Sequence, residues 1–193
     1  MHHIYHTEGI ILESFNSGEA GKYYAIFTRD LGMIYASAQG VRKMSSKLRY
    51  VLQDFSYIKL DLVKGRDFWR LTSASKTNSL NTLTKKTRNF KVLANIARLL
   101  KRLLAGEEAN QSLFNDLVKG LHILEKIEDE EGIAHIEVIL VLRILNNLGY
   151  VGGDINLDNL VQSPFEHDLV FEVAKNRKEI LQHINKALKE THL

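Results

Sequence analysis

The stretch from Gly40 to Tyr50 has the residue types most suited to chemistry in this chain. Its eleven residues include four cations and two serines, and they include no acid. Flexible cations bind phosphate groups, and hydroxyl and backbone donors fix a polyanion in position along them. A solvated loop between two strands is the alternative interpretation, which the missing acids disfavour. We therefore predict an anion-binding loop whose cations are Arg42, Lys43, Lys47 and Arg49.

A second group of cations stands at the start of the first predicted helix. Its members are Lys85, Lys86, Arg88 and Lys91. The positive end of the helix dipole makes this position mildly unfavourable for cations. A nearby anion would offset that cost, so we predict that these four residues extend the anion-binding surface.

Six aromatic residues of the first half are candidates for base stacking. They are Tyr23, Tyr24, Tyr35, Tyr50, Tyr57 and Trp69. Aromatic rings can act as stacking platforms for nucleic-acid bases. For each ring taken singly, packing within a sheet is the favoured interpretation.

Motifs that would indicate an enzyme or a metal site are incomplete. The segment from Gly18 to Lys22 resembles part of a phosphate loop, but Asn16 and Tyr23 stand where that loop requires Gly and Ser or Thr. His135-Ile136-Glu137 matches half of a zinc-deaminase motif, whose other half requires cysteines. The chain has no cysteine, which excludes disulfides, cysteine-bound zinc and a thiol nucleophile. We predict no enzymatic activity, no metal and no cofactor.

The charge of the chain is divided unevenly between its two halves. Residues 1–105 hold 18 of the 26 Lys and Arg and 7 of the 23 Asp and Glu, a net charge of +11. Residues 106–193 carry a net charge of −8. Such asymmetry indicates a nucleic-acid or other anionic partner for the basic half. Two solvated surfaces of opposite sign that dock on each other would explain it equally well.

The hydrophobic pattern changes from strand-like to helical near residue 80. Short apolar and aromatic runs, separated by turn residues, predict strands over 8–15, 23–28, 33–38, 55–63 and 68–72. Helical periodicity predicts helices over 88–105, 113–124, 136–148 and 173–189. We expect an α+β protein in which a five-stranded antiparallel β-barrel, residues 1–78, precedes an all-α helical domain, residues 79–193.

The composition is that of an ordinary globular protein, with 45% hydrophobic and 25% charged residues. No apolar run approaches the ~18 residues that a membrane span requires. The first six residues lack the features of a secretory signal. We expect a cytoplasmic protein.

An ordered set of short strings resembles the N-terminal domain of the bacterial RecO family of recombination mediators. The strings are residues 8–12, 18–19, 27–32, 38–43, 46–49, 52–55 and 71–74. In the second half, residues 110–114 and 137–150 resemble the starts and ends of family helices. The likeness extends over roughly residues 5–150.

The resemblance implies an OB-fold for the barrel and binding of single- and double-stranded DNA. It also implies annealing of complementary strands without ATP, and loading of recombinase with RecR and the acidic tail of single-stranded-DNA-binding protein as partners. A bacterial cytoplasmic protein associated with the nucleoid is expected. The family's basic loop corresponds to Arg42, Lys43, Lys47 and Arg49.

One departure from the family pattern concerns zinc. Many members have a four-cysteine zinc module after a Gly-Tyr pair, whereas this chain continues from Tyr150 with Val151-Gly152-Gly153-Asp154. We therefore expect a short member of the family without zinc. The alternative function is a protein-interaction scaffold whose basic face binds acidic peptide tails.

Overall fold

The strand-forming runs of the first half close into a β-barrel in the computed structural model, which describes residues 3–77, 80, 82–151, 157–165 and 168–191. Within these residues the strands follow the order β1-β2-β3-β5-β4 around the barrel. They are β1 Ile4–Ser17, β2 Gly21–Thr28, β3 Gly32–Ala38, β4 Tyr57–Lys64 and β5 Trp69–Lys76. The short β3–β5 pairing is parallel, and the other four pairings are antiparallel.

The first strand is longer than predicted because it pairs with two neighbours. It begins at Ile4 instead of residue 8, and its first half pairs with β4 while its second half pairs with β2. The pairing with β2 shifts by one residue between Ile11 and Glu13, which marks a β-bulge. The bulge exchanges the inward and outward positions in the second half of β1.

The barrel interior is a single apolar cluster drawn from all five described strands and from the loop after β3. Its members are Ile11, Tyr24, Ile26, Ile34, Ala36, Ala38, Val41, Leu52, Ile58, Leu60, Leu62, Trp69 and Leu71. Val41 and Leu52 are the loop members, so the basic segment between them is attached to the core at both ends.

The rest of the described chain is helical. The helices are α1 Leu48–Val51, α2 Thr87–Leu103, α3 Gln111–Lys126, α4 Glu130–Asn147, α5 Asp158–Gln162 and α6 Asp168–Glu190, with a 3-10 turn at Leu83–Lys85. The expected α+β class, a five-stranded barrel followed by helices, is confirmed. None of these described helices is both long enough and apolar enough to cross a membrane.

Local signals explain where α4 begins and ends. The Asp129 carboxylate accepts the Gly132 backbone N–H at 2.6 Å, which caps the helix N-terminus. At the other end Gly149 adopts φ +79, a left-handed conformation that glycine allows just after a helix, and the Tyr150 N–H donates to the Leu145 carbonyl at 2.9 Å. The acidic run at 128–131 therefore includes the N-cap and the first two residues of α4.

The chain forms two compact units. One consists of residues 1–81 and 97–111, and the other of residues 82–96 and 112–193. The boundary predicted between residues 78 and 79 lies outside the described residues and stays a prediction. In the first unit, the Met33 N–H donates to the Gly106 carbonyl at 3.1 Å. The Glu107 carboxylate accepts from Trp69 Nε1 at 2.9 Å and from Lys64 Nζ at 2.7 Å.

A buried arginine organises the second unit. Arg143 is 4% exposed, and its guanidinium donates to the carbonyls of Leu160 at 2.9 Å and Ser163 at 2.5 Å. It lies 3.5 Å from the Asp116 carboxylate and over the Phe165 ring. Burial lowers the pKa of Arg143, and the charge of Asp116 opposes that effect. These contacts fasten α5 and the residues after it to α4.

Replacement of Gly32 tests how closely residues 106–108 approach the barrel. Gly32 has φ +67, and a Cβ there would overlap the backbone of Glu108. We expect Gly32→Ala to lower the free energy of unfolding by about 3 kcal/mol or more, through backbone strain and overlap together. Chemical denaturation measures the change.

Gly18→Ala is the matched control. Gly18 also has a positive φ, +56, but a Cβ there meets nothing within 4 Å. It should cost only the conformational strain, about 1 kcal/mol. Equal losses for the two variants would contradict the packing of residues 106–108 against the barrel.

Candidate nucleic-acid interface

The predicted anion-binding loop connects β3 to β4 and lies across the β1–β2 turn. The Arg42 backbone N–H donates to the Ala20 carbonyl at 2.9 Å, and Arg42 Nη1 donates to the Gly18 carbonyl at 3.2 Å. Leu48 and Val51 of α1 pack against the barrel core. Val41 and Leu52 at the two ends of the loop are buried and Leu48 and Val51 are half-buried, whereas the cations between them are exposed.

The four loop cations are exposed and lack internal counterions. Arg42, Lys43, Lys47 and Arg49 are all exposed. Within the described ranges, no carboxylate lies at salt-bridge distance from any of them. Arg49 contacts the Met44 sulfur at 2.8 Å, which leaves its charge uncompensated. Their positive charge is therefore available to a bound anion.

The second group of cations is partly neutralised within its own unit. Lys86 Nζ lies 3.2 Å from Glu128, and the Arg88 guanidinium lies 2.8 Å from Glu130. The two carboxylates flank Asp129, whose capping of α4 holds the acidic run in place. Lys85 and Lys91 are exposed, and no carboxylate of the described residues lies at salt-bridge distance from either. Pairing reduces the charge that Lys86 and Arg88 can offer, so the loop carries more unpaired positive charge than this second group.

The structure divides the six aromatic candidates into two groups. Tyr24 and Trp69 are buried in the barrel core, and the Tyr57 hydroxyl donates to Glu8 at 2.7 Å. Burial, followed by the hydrogen bond to Glu8, raises the pKa of Tyr57. Tyr23, Tyr35 and Tyr50 are exposed. The packing interpretation therefore holds for three of the six, and the other three can receive a base.

Two exposed phenylalanines complete a patch that sequence reasoning missed. Phe15 is 51% exposed and Phe68 is 53% exposed. Phe15 stands opposite Tyr23 in the β1–β2 ladder, and the Tyr23 and Phe68 ring centres are 5.4 Å apart. We call Phe15, Tyr23 and Phe68 the aromatic patch. It lies at the β1–β2 and β4–β5 turns, the region that OB-folds use for oligonucleotides.

The β-bulge in β1 explains why Phe15 was missed. Ile11 faces the barrel core, so strict alternation would turn Phe15 inward as well. The register shift after Ile11 places Ser14 opposite the buried Tyr24 and turns Phe15 outward. No residue type in the segment predicts this bulge.

A cavity of about 370 Å³ opens between the barrel end and the basic loop. Its walls are formed by Lys22, Tyr24, Val41, Arg42, Met44, Arg49, Leu52 and Gln53. Lys22 Nζ donates to the Ser14 hydroxyl at 3.1 Å. Burial, and secondarily the charge of Asp54, raises the pKa of Tyr24 to about 12.

Among the described residues, no group of three or more His, Asp or Glu side chains is arranged to hold a metal ion. Residues 152–154, where many family members have the zinc module, lie outside the part of the chain that the structure describes. The predicted absence of zinc stays a prediction.

The raised pKa of Tyr24 predicts a specific alkaline destabilisation. The folded state favours the neutral phenol, so the stability from Tyr24 is fully present below its ordinary pKa of 10.0 and is lost as the pH rises through about 12. Across that range, the free energy of unfolding should fall by up to about 3 kcal/mol more in the unsubstituted protein than in Tyr24→Phe.

Denaturation at a series of pH values measures this difference. Tyr35→Phe, which removes an exposed hydroxyl, is the control and should follow the unsubstituted protein. Parallel curves for Tyr24→Phe and the unsubstituted protein would contradict the burial of the neutral Tyr24 phenol.

Comparison with known proteins places these features in a family. Residues 1–80 match the family model described as the N-terminal domain of recombination protein O. The chain is 30% identical over 161 residues to the DNA repair protein RecO of Rubrobacter xylanophilus, which covers 79% of this chain and 64% of that protein.

Two further relatives carry the same name. The RecO protein of Heliobacterium modesticaldum is 29% identical over 147 residues, 76% of this chain and 52% of that protein. The RecO protein of Alkaliphilus metalliredigens is 31% identical over 124 residues, 64% of this chain and 50% of that protein. The chain thus spans between half and two thirds of the length of these relatives. With the barrel topology, these matches identify the chain as a member of the RecO family.

Proposed function

We propose that this protein binds single-stranded DNA through its barrel and acts as a recombination mediator in DNA repair. The observation that carries the proposal is a loop of unpaired cations hydrogen-bonded to the turn that bears the aromatic patch. Proteins that bind single strands combine a positive surface for the backbone with aromatic rings on which bases stack. The name of the relatives, DNA repair protein RecO, supports the same role.

The mechanism is neutralisation of phosphate charge. Two complementary strands repel each other, and cations that contact phosphates of both strands reduce that repulsion and release counterions. Bases that rest on the aromatic patch stay unpaired and accessible to a complementary strand. Annealing would then require no ATP and no catalytic group, so we assign this protein no enzymatic step.

The aromatic patch favours DNA over the alternative scaffold function. An acidic peptide would use the cations of the loop but would gain little from three exposed rings, whereas every nucleic-acid base offers a π face. Double-stranded DNA would use the cations alone. Lys85, Lys86, Arg88 and Lys91 contribute a weaker second phosphate site, because two of them already face carboxylates.

The partners that family membership supports are RecR and the acidic tail of single-stranded-DNA-binding protein, with recombinase loading as the result. We propose these partners for this chain, and a place in the bacterial cytoplasm at the nucleoid. Recombinase should load onto single strands covered by single-stranded-DNA-binding protein faster when this chain and RecR are both present than when this chain is left out.

Replacement of Arg42, Lys43, Lys47 and Arg49 by alanine tests the phosphate contacts. Each contact on a single strand contributes about 0.7 to the slope of log affinity against log salt, so the slope should fall by about 3. Fluorescence anisotropy with a labelled oligonucleotide at several salt concentrations measures it. Alanine at the exposed Lys126, Lys178, Lys186 and Lys189 gives a charge-matched control that should leave the slope unchanged.

The same variants separate annealing from binding. Complementary oligonucleotides should anneal more slowly with the loop variant than with the unsubstituted protein, without ATP in either reaction. Equal annealing rates would remove the loop from the mechanism. Single-strand affinity that does not respond to salt would remove phosphate neutralisation altogether.

Substitution of the aromatic patch tests base stacking. Phe15→Ser together with Phe68→Ser should weaken single-strand binding by at least about tenfold, since each stacked base contributes about 1–3 kcal/mol. The salt slope should not change, because stacking releases no counterions. Phe171→Ser on α6, where the ring is 63% exposed, is the matched control.

The patch variant also separates the two candidate functions. If loss of both rings weakened the binding of an acidic peptide and of a single DNA strand equally, the stacking role would be contradicted. Peptide binding without any binding of DNA would favour the scaffold.

A further inference from the structure

The cavity beneath the basic loop has the features of a binding site distinct from the aromatic patch. It holds about 370 Å³, within the range of small-ligand pockets. Lys22 and Tyr24, near the start of β2, bound it on one side. Arg42 of the basic loop and Arg49 of α1 bound it on the other.

A buried hydroxyl marks the floor of this cavity. Tyr24 is fully buried, and its Oη has no hydrogen-bond partner among the residues that the structure describes. Buried hydroxyls in proteins are almost always hydrogen-bonded. Tyr24 is one of the residues that line the cavity, so its unpartnered hydroxyl is the donor that a bound group would satisfy, and a phenol keeps its proton at neutral pH.

The charge of the walls specifies the sign of the ligand. Three of the eight lining residues are cations, Lys22, Arg42 and Arg49, and none of the eight is an acid. Lys22 is half-buried and directed by its hydrogen bond to Ser14. Asp54, the acid that acts on Tyr24 electrostatically, is exposed and does not line the cavity.

The closed floor specifies how a ligand enters. Tyr24 belongs to the barrel core, so the cavity does not continue through the barrel, and a strand would reach Tyr24 most directly with its end. Val41 and Leu52 add an apolar wall, and Gln53 adds an amide at the rim. A doubly charged phosphate attached to a sugar and base matches three cations beside an apolar surface better than a singly charged internal phosphodiester does.

We propose that this cavity binds the phosphomonoester of a nucleotide, with the Tyr24 hydroxyl donating to a phosphate oxygen while Lys22, Arg42 and Arg49 neutralise its charge. The phosphate comes either from the 5′ end of a DNA strand or from a free nucleoside monophosphate. The strand-end source rests on the proposed DNA binding, whereas the free nucleotide does not.

Four probes separate these sources. They are a fluorescent oligothymidylate with a 5′-phosphate, the same strand with a 5′-hydroxyl, thymidine 5′-monophosphate, and thymidine. Anisotropy measures the two strands, and isothermal titration calorimetry measures the two small molecules. We expect the protein to bind the phosphorylated strand at least about fivefold more tightly than the hydroxyl strand, and the monophosphate but not the nucleoside.

Tyr24→Phe removes only the hydroxyl and keeps the ring that fills the core. It should reduce the preference for the 5′-phosphate by about fivefold, the size of one hydrogen bond, and leave binding of the hydroxyl strand unchanged. Tyr35→Phe is the control and should preserve the preference. If Tyr24→Phe fails to fold, Lys22→Met takes its place, since Lys22 lies outside the core cluster.

The outcomes for the two proposals are distinguishable. Equal binding of both strands, with no binding of the monophosphate, overturns the pocket and leaves DNA binding in place. Binding of the monophosphate, lost in Tyr24→Phe, without binding of either strand supports the pocket and overturns the proposed function. If Tyr24→Phe and Lys22→Met both keep the preference for the 5′-phosphate, the phosphate binds elsewhere and the proposed phosphate site is wrong.

Discussion

Closure of the barrel by β1 is the constraint on which the rest of the first unit depends. One strand must pair with β4 along its first half and with β2 along its second half, so that no strand edge is left open. The bulge after Ile11 lets the strand change direction between its two partners. It also determines that Phe15 faces outward beside Tyr23, and hence that an aromatic patch exists at all.

The basic loop is positioned by burial and not by its charges. Val41 and Leu52 are 2% and 1% exposed in the barrel core. Because both of its ends are buried there, the segment between them crosses the end of the barrel. The hydrogen bonds from Arg42 to the β1–β2 turn fix its course. The fold thereby holds the loop cations near one another although like charges repel. A bound polyanion would relieve that repulsion.

Among the described residues, carboxylates of the acidic half pair with cations of the basic half at Lys64, Lys86 and Arg88. Asp129 caps α4, and its neighbours Glu128 and Glu130 face Lys86 and Arg88. Exposed ion pairs of this kind add little stability, but they reduce the charge that a ligand meets. The net charges of +11 for residues 1–105 and −8 for residues 106–193 therefore do not correspond to two separate binding surfaces. The loop keeps its charge because no carboxylate among the described residues reaches it.

The sequence alone determined the fold class, the number of strands in the described barrel, the C-terminal end of α4 and the location of the basic loop. These follow from local patterns: apolar periodicity, glycine at a left-handed position, and a run of cations without acids. Tertiary structure decided which aromatic rings face outward, which cations are paired and where Tyr24 places its hydroxyl. Such properties depend on strand register and on contacts between residues far apart in the chain, and a one-residue bulge is enough to reverse them.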